Sequence, residues 1–413
     1  MGIHRRALLA IGYAFLFIPL VVLPYNFYPF TTGKSVALRI LAGIGLFVWS
    51  LKPVLPIGWI GRGMAAVLAT TALSVAFAEY PDLAFFSSPS RREGFINMLA
   101  FAVMFLVLIA ARPDWRTYIA VAVGVAVLDA LIGLGFHYVY LATQETRAPK
   151  IHALAGNASY LGLYLAMSLM LTLWLWMGAR ERRERITLWP WPFPTKLETW
   201  AMVLAGAVQF YVLTLTQSRG AILALGAGVA AALLGSGLLT VRYRTQLIGL
   251  CLGTLAVLVL ATLPWNSVSI DQRLDLWEVA LGMIWERPWT GWGPDGFFQG
   301  FINRVEVDSV IAHLPFDRAH NWILDRLILA GLPGLAAYLL LLWAMYGTGN
   351  DPLPRAVLTC YLVGNLWLFD FMETSILFWM LAAYLVSRDV AEHAAVVAHG
   401  QPSLDGGVRS GRA

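Results

Sequence analysis

Apolar residues fall in runs along this chain, at residues 7–24, 36–51, 64–78, 95–111, 118–136, 153–178, 199–216, 221–240, 246–263, 321–346, 355–369 and 373–386. A helix that crosses a ~30 Å hydrocarbon core needs roughly 20 mostly apolar residues. The pattern predicts an all-α polytopic integral membrane protein with about 12 transmembrane helices. Several runs are short for that thickness, so some of these helices must be tilted, extended or partly re-entrant. The first run follows the basic start Met1–Arg6. No small-residue cleavage site comes after it, so it reads as a span rather than a signal peptide.

Two polar interruptions break the pattern. One runs from Glu79 to Gly94. The other, from Pro264 to His320, is far longer than a simple connection requires. Within it, Leu274, Trp277, Val279–Leu281 and Ile284 form an apolar face, while Arg273, Asp275, Glu278 and Glu286 lie elsewhere. That spacing predicts a helix lying on the membrane surface. The expected organisation is nine spans over residues 1–263, a partly helical loop over 264–320, three spans over 321–386 and a disordered tail over 387–413.

Composition agrees with the pattern. Of the 413 residues 59% are hydrophobic and 13% charged, whereas soluble domains keep about a quarter charged. The net charge of +5 matters less than its distribution. With the N-terminus inside, 17 of the 29 Lys and Arg residues fall in inner segments, among them the run Arg180–Arg185. The acids lean outward, and Asp129 is placed within a span. Both termini are then cytoplasmic. The two cysteines, Cys251 and Cys360, sit in apolar runs, which argues against a disulfide framework or a cysteine metal site. There is no Walker phosphate loop and no GxGxxG fingerprint. No cofactor, metal or nucleic-acid partner is expected.

The candidate chemistry gathers on the outer side. Thr216-Gln-Ser218-Arg219-Gly-Ala221 opens the eighth span. An arginine beside the free N–H groups of a helix start suits phosphate oxygens; it equally suits snorkelling to lipid headgroups. Arg318-Ala-His320-Asn321 opens the tenth span. A histidine there can act as a general base, or simply bond to a headgroup or carbonyl. Gly331 and Gly334 follow at a spacing that permits close helix packing, or that merely accompanies Pro333. Arg273, Arg91 and Arg92 add outer positive charge fit for a diphosphate, with Asp271, Asp275 and Asp317 as competing partners. Asn157 and Tyr160 open the sixth span, where they cap the helix or line a cavity. Asp129, an acid at membrane depth, is a functional candidate by position.

In order, Arg91-Arg-Glu-Gly94, Gly156-Asn-Ala-Ser-Tyr-Leu-Gly162, Ser218-Arg-Gly-Ala221, Arg273-x3-Trp277 with Arg287-Pro-Trp-Thr-Gly-Trp-Gly293, and His320-Asn-x9-Gly-x-x-Gly334 resemble the motifs of the O-antigen ligase and O-antigen polymerase superfamily. The resemblance covers nearly the whole chain. It implies a metal-independent, inverting glycosyltransferase of the bacterial inner membrane with its site facing the periplasm. The donor would be a glycan on a polyprenyl (undecaprenyl) diphosphate. In the ligase type the acceptor is lipid A–core; in the polymerase and protein-glycosylating types it is another lipid-linked glycan or a protein. The resemblance gives His320 the role of base and gives Arg219 and Arg273 the diphosphate. Arg91, Arg92, Asn157, Tyr160, Ser218, Arg318 and Asn321 would surround the substrates. Two departures stand out. The usual Gly-Asn-Pro-Asn reads Gly-Asn-Ala-Ser here, and Leu335-Ala336 stand where threonines commonly follow the last glycine. A transporter or flippase for the lipid-linked glycan is the alternative from another class. It would need polar residues deep in the bundle, where the sequence offers little beyond Asp129.

Overall fold

Inside a bilayer a backbone must satisfy its own hydrogen bonds, and helices do so segment by segment. In the computed structural model of the chain every regular element among the described residues is a helix. The described residues are 2–24, 28–56, 58–88, 93–143, 150–185, 193–235, 268–304, 316–349 and 351–400, with only the backbone described at 178–185, 193–196, 268–271 and 391–400. The helices are α1 (Ile3–Phe15), α2 (Pro29–Ser50), α3 (Trp59–Ala76), α4 (Pro81–Phe86), α5 (Phe95–Ala111), α6 (Trp115–Thr143), α7 (Ala158–Arg185), α8 (Phe193–Thr216), α9 (Arg219–Gly235), α10 (Val268–Glu286), α11 (Gly296–Ile302), α12 (Trp322–Gly347), α13 (Pro352–Gly364) and α14 (Met372–Gly400). Short 3-10 turns cover Ile18–Leu20 and Ala153–Ala155. Six of the helices, α2, α3, α6, α7, α8 and α12, are long and apolar enough to cross a membrane; α5 and α9 are shorter apolar helices. The expected span 246–263, Arg91, Arg92 and residues 401–413 lie outside the described residues.

Burial explains the layout. The first half of α14, from Met372 to Val386, is buried on every side, as expected of a helix apolar all round. It packs against α5, which in turn holds α1 and α2. A second group packs α9 between α7 and α13, and α3 lies along α12. On the outside of the bundle Phe47, Val139, Trp200, Leu204 and Trp343 are exposed. No soluble surface would carry so many large apolar side chains without a partner, so these faces suit lipid.

Charges sort by side. Arg5 donates to the carbonyls of Ala111 and Arg112 (2.9 and 2.8 Å) and so closes the α5 C-terminus from the same end of the bundle. Arg388 pairs with Asp351 at that end. The pairs Lys34–Glu373, Arg116–Glu198, Arg287–Glu79 and Arg318–Asp295 each join two groups that the alternation of spans puts on one side.

Two expectations change. α14 continues as helix to Gly400, so part of the segment expected to be disordered from residue 387 is helical. In α10, Leu276, Ala280 and Met283 form the buried face, whereas Leu274 and Leu281 are exposed together with Trp285. The helix is therefore apolar on two opposite faces, and a one-sided pattern merged them. The inner face joins Trp292, Phe297, Phe301, Ala319 and Ile328 in a small core of its own. That core seats the long loop on α12.

Candidate functional site

The site begins at a break in α12. Pro333 has no N–H to give the carbonyl of Leu329, and Ala330 and Gly331 leave helical geometry, Gly331 at φ 64°. The freed groups find partners in the Arg287–Gly293 loop. Trp292 N–H donates to Ile328 O (2.7 Å), Gly293 N–H to Leu329 O (3.1 Å), and Leu332 N–H to Pro288 O (2.7 Å). Leu329 O also accepts from the Ser74 hydroxyl at 2.6 Å. A Cβ at Gly331 would stand 2.5 Å from Pro288 O, and one at Gly291, 2.7 Å from Ile328 O. Gly331 thus admits the loop backbone rather than a neighbouring helix, the packing role the spacing suggested. Gly334 faces its own preceding turn at Ala330.

At the start of α12 the backbone is bound on several sides. The Asn321 side chain accepts from Ile323 N–H (3.0 Å) and Leu324 N–H (3.3 Å), an N-cap. Its amide reaches Leu366 O, and Trp322 N–H donates to Asn365 O. Asp325 reaches back to Ala319 N–H at 2.8 Å. These bonds hold His320 at φ 55°, an uncommon conformation for a non-glycine residue that persists where surroundings over-determine it. The His320 Nδ1 lies 3.0 Å from Arg318 O. A carbonyl can only accept, so Nδ1 carries the proton and Nε2 is the basic nitrogen. The ring stands edge-on between Phe316 and Phe369, with centroids at 5.7 and 5.2 Å.

Three candidates from distant parts of the chain converge on residues 365–371, the link between α13 and α14. Arg219 is the first residue of α9, and a Cβ at the adjacent Gly220 would touch Trp367 at 3.6 Å. Arg273 places its guanidinium over the Trp367 ring, 5.8 Å from the centroid. Trp277, one turn along α10, stacks near Trp367 (6.3 Å, 29°) and donates to Ala319 O at 3.0 Å, next to His320. Tyr160 stacks on Phe371 at 4.6 Å and meets Phe369 edge-on. Ser218 is buried at the α8–α9 corner, where its hydroxyl lies 3.4 Å from Ala221 N. Asn157 takes the capping role: its Oδ1 accepts from Ser159 N–H at 2.8 Å, and the residue is exposed.

The arginines differ in their company. Arg273 is half-buried, and burial alone acts on it, lowering its affinity for a proton. Among the described residues no carboxylate pairs with it. Arg318 instead donates to Asp295 at 3.0 Å and lies 3.8 Å from Glu93. Burial would lower its pKa, but Asp295, Asp317, Glu93 and Asp325 raise it overall. Burial would likewise raise the Asp295 carboxyl, yet Arg318, Ser87 and Ser88 hold it below the ordinary carboxylate value. Arg326 is bound to Asp370, which also accepts from the Tyr361 hydroxyl. Asp129 is fully buried; its Oδ1 accepts from Leu154 N–H, while Lys34 bridges Leu154 O and Glu373 nearby.

The segment Asn365–Phe371 was not among the sequence candidates, because it lies at the seam of two short apolar runs. A signal was present: Trp367, Phe369 and Phe371 alternate around one acid, Asp370, a pattern unlike the aliphatic runs on either side.

Comparison with known proteins supports the motif resemblance. Residues 200–339, which include Arg219, Arg273, His320 and both glycines of the α12 break, match the family model described as O-antigen ligase. A general O-oligosaccharyltransferase of Acinetobacter baylyi is 27% identical over 104 residues, 25% of this chain and 18% of that protein, so the match spans less than a fifth of the relative's length. Beside the ordered motifs, these matches make the chain similar to the O-antigen ligases over residues 200–339.

Proposed function

We propose that the protein is a glycosyltransferase of the inner membrane that moves a glycan from a polyprenyl diphosphate to an acceptor hydroxyl at the periplasmic face. One observation carries the proposal: a histidine held in the Nδ1–H tautomer and a half-buried arginine that no described acid neutralises both contact the Trp367–Phe369 segment. His320 Nε2 takes the acceptor proton as the oxygen attacks the anomeric carbon. The diphosphate leaves with the electrons of the broken glycosidic bond. Arg273 and Arg219 are suited to that developing charge because their guanidinium groups stay fixed where it appears. Direct displacement inverts the anomeric centre. The exposed Leu274, Leu281 and Trp285 face of α10 suits the headgroup–acyl boundary, which would set Arg273 at the height of a lipid-borne diphosphate.

The acceptor favoured here is lipid A–core. The oligosaccharyltransferase relative gives weight to other acceptors, a protein or a second lipid-linked glycan among them. Reconstitution in nanodiscs with lipid-linked oligosaccharide and each acceptor class tests both levels. His320→Ala is expected to lower transfer by about 10²–10⁴-fold, the usual contribution of a general base, while donor still binds. Near-normal turnover in that variant would refute the base assignment, and the acceptor that becomes glycosylated decides the class.

A further inference from the structure

Behind the His320 turn lies a cavity of about 130 Å³, bordered by α3, α5, α12, the start of α14 and the Gly293–Phe297 segment. It is room for several waters or one small ring. Phe369 belongs both to its wall and to the surroundings of His320. Two residues of the lining each carry a polar atom that is buried and unmet. Asp325 spends Oδ1 on Ala319 N–H, but its Oδ2 has no hydrogen-bond partner. Trp322 is 9% exposed, and its indole N–H also has none. Both side chains line the cavity, three residues apart on α12. Leaving such groups buried without a partner is unfavourable, so a ligand supplying a donor to one and an acceptor to the other is favoured.

The remaining lining narrows the chemistry. Four carboxylates, Glu93, Asp295, Asp325 and Asp370, face two guanidinium groups, Arg318 and Arg326. An anion is therefore unwelcome, and the diphosphate belongs on the Trp367 side with Arg273. Phe369, Phe371 and Trp379 supply flat apolar walls. A neutral ring bearing several hydroxyl groups fits both features: with a small turn of each side chain toward the cavity, one hydroxyl donates to Asp325 Oδ2, another accepts from Trp322 Nε1, and the C–H faces lie on the aromatic rings.

We propose that this cavity is a pyranose subsite, in which Asp325 and Trp322 hydrogen-bond a sugar ring beside the base. The proposal rests on the glycosyl-transfer function above and adds where a sugar is held. The ring comes from one of two sources, the first sugar of the donor or the acceptor sugar.

The test uses the full chain in nanodiscs, with Trp322→Phe and Asp325→Asn. KM is measured for lipid-linked oligosaccharide and for acceptor, alongside binding of undecaprenyl diphosphate that carries no sugar. Each variant is expected to raise one KM about tenfold or more, since a site built to bond a hydroxyl discriminates strongly through it. Affinity for undecaprenyl diphosphate should not change. A rise in donor KM assigns the cavity to the donor sugar, and a rise in acceptor KM assigns it to the acceptor. A substrate lacking the contacted hydroxyl should lose turnover on the wild type and lose nothing more on the variant, which a purely structural role would not produce. If Asp325→Asn does not fold, Trp322→Phe decides alone, and unchanged KM values for both substrates overturn the subsite. Failure of the parent function looks different: the wild type then neither turns over nor binds undecaprenyl diphosphate.

Discussion

Arg318, two residues before His320, and Arg273, over the Trp367 ring, stand in opposite electrostatic settings. Arg318 is bonded to Asp295, within reach of Glu93 and surrounded by acids that hold its proton tightly. Arg273 leans on an aromatic ring, and only burial acts on it. A buried guanidinium whose charge is already balanced shapes the protein. One whose charge is left open is suited to receive an anion. Proximity to a motif histidine says nothing about which case applies; the number of acids around each guanidinium does. This difference moves the expected substrate-binding role away from Arg318 and concentrates it on Arg273.

The largest effect follows from breaking the balanced side. Arg318→Ala leaves Asp295 buried without its cation, and removing one partner of a buried pair costs about 3–5 kcal/mol. The variant should be recovered in low yield with a clearly lowered unfolding midpoint in detergent. Arg318→Ala with Asp295→Ala should regain part of the loss, since the stranded charge is gone. A single variant as stable as the wild type would erase the contrast between the two arginines.

On the open side the effect should fall on binding, not folding. A hydrogen bond to a charged group is worth about 1.5–3 kcal/mol, so Arg273→Ala should weaken undecaprenyl diphosphate binding by roughly tenfold to a hundredfold, with the unfolding midpoint nearly unmoved. Arg273→Lys keeps the charge but not the forked geometry and should fall between the two. Equal losses of midpoint and affinity in Arg273→Ala would show that the two arginines do the same work.

The helices were legible because lipid imposes one rule on the whole chain: eight of the twelve apolar runs coincide with a single helix each, 153–178 takes in a 3-10 turn and α7, and 221–240 is described to Gly235 and is α9. The first run coincides with α1 and the 3-10 turn that follows it. The run at 246–263 lies outside the described residues. His320, Arg219 and Arg273 were legible because motif order marks them. The neutralisation of Arg318 was not, since Asp295 and Glu93 lie 23 and 225 residues away along the chain and only the fold brings them together. The platform at Trp367 was hidden for a different reason: its role lies in what packs on it from α9 and α10, and an aromatic residue beside a span boundary has an ordinary interfacial explanation.

That platform gives the next smaller effect. Trp367 carries the Arg273 cation–π contact and the stack with Trp277, each worth on the order of 1 kcal/mol. Trp367→Leu should raise donor KM several-fold and leave the acceptor KM alone. An equal rise in both would mean that the segment sets the position of His320 as a whole and does not serve the cationic side in particular.

The smallest effect separates buried from exposed pairing through pH. Asp295 and Glu286 both have lowered pKa values, the first against burial through Arg318, Ser87 and Ser88, the second mainly through its hydrogen bond from Arg304. A carboxyl whose folded pKa is depressed contributes stability above its unfolded value, near 4, and loses it as pH falls through the lower folded value. Wild-type midpoints should therefore decline below about pH 4. Asp295→Asn should start lower at neutral pH and converge on the wild type as acid protonates Asp295. Glu286 is half exposed at the surface, where solvent and salt screen the pair, so Glu286→Gln should follow the wild-type curve within error at 0.15 M salt. If the Glu286 variant also converged from a lower start, exposure would not be what distinguishes the two pairs, and the assignment of Arg318 to a buried structural network would lose its support.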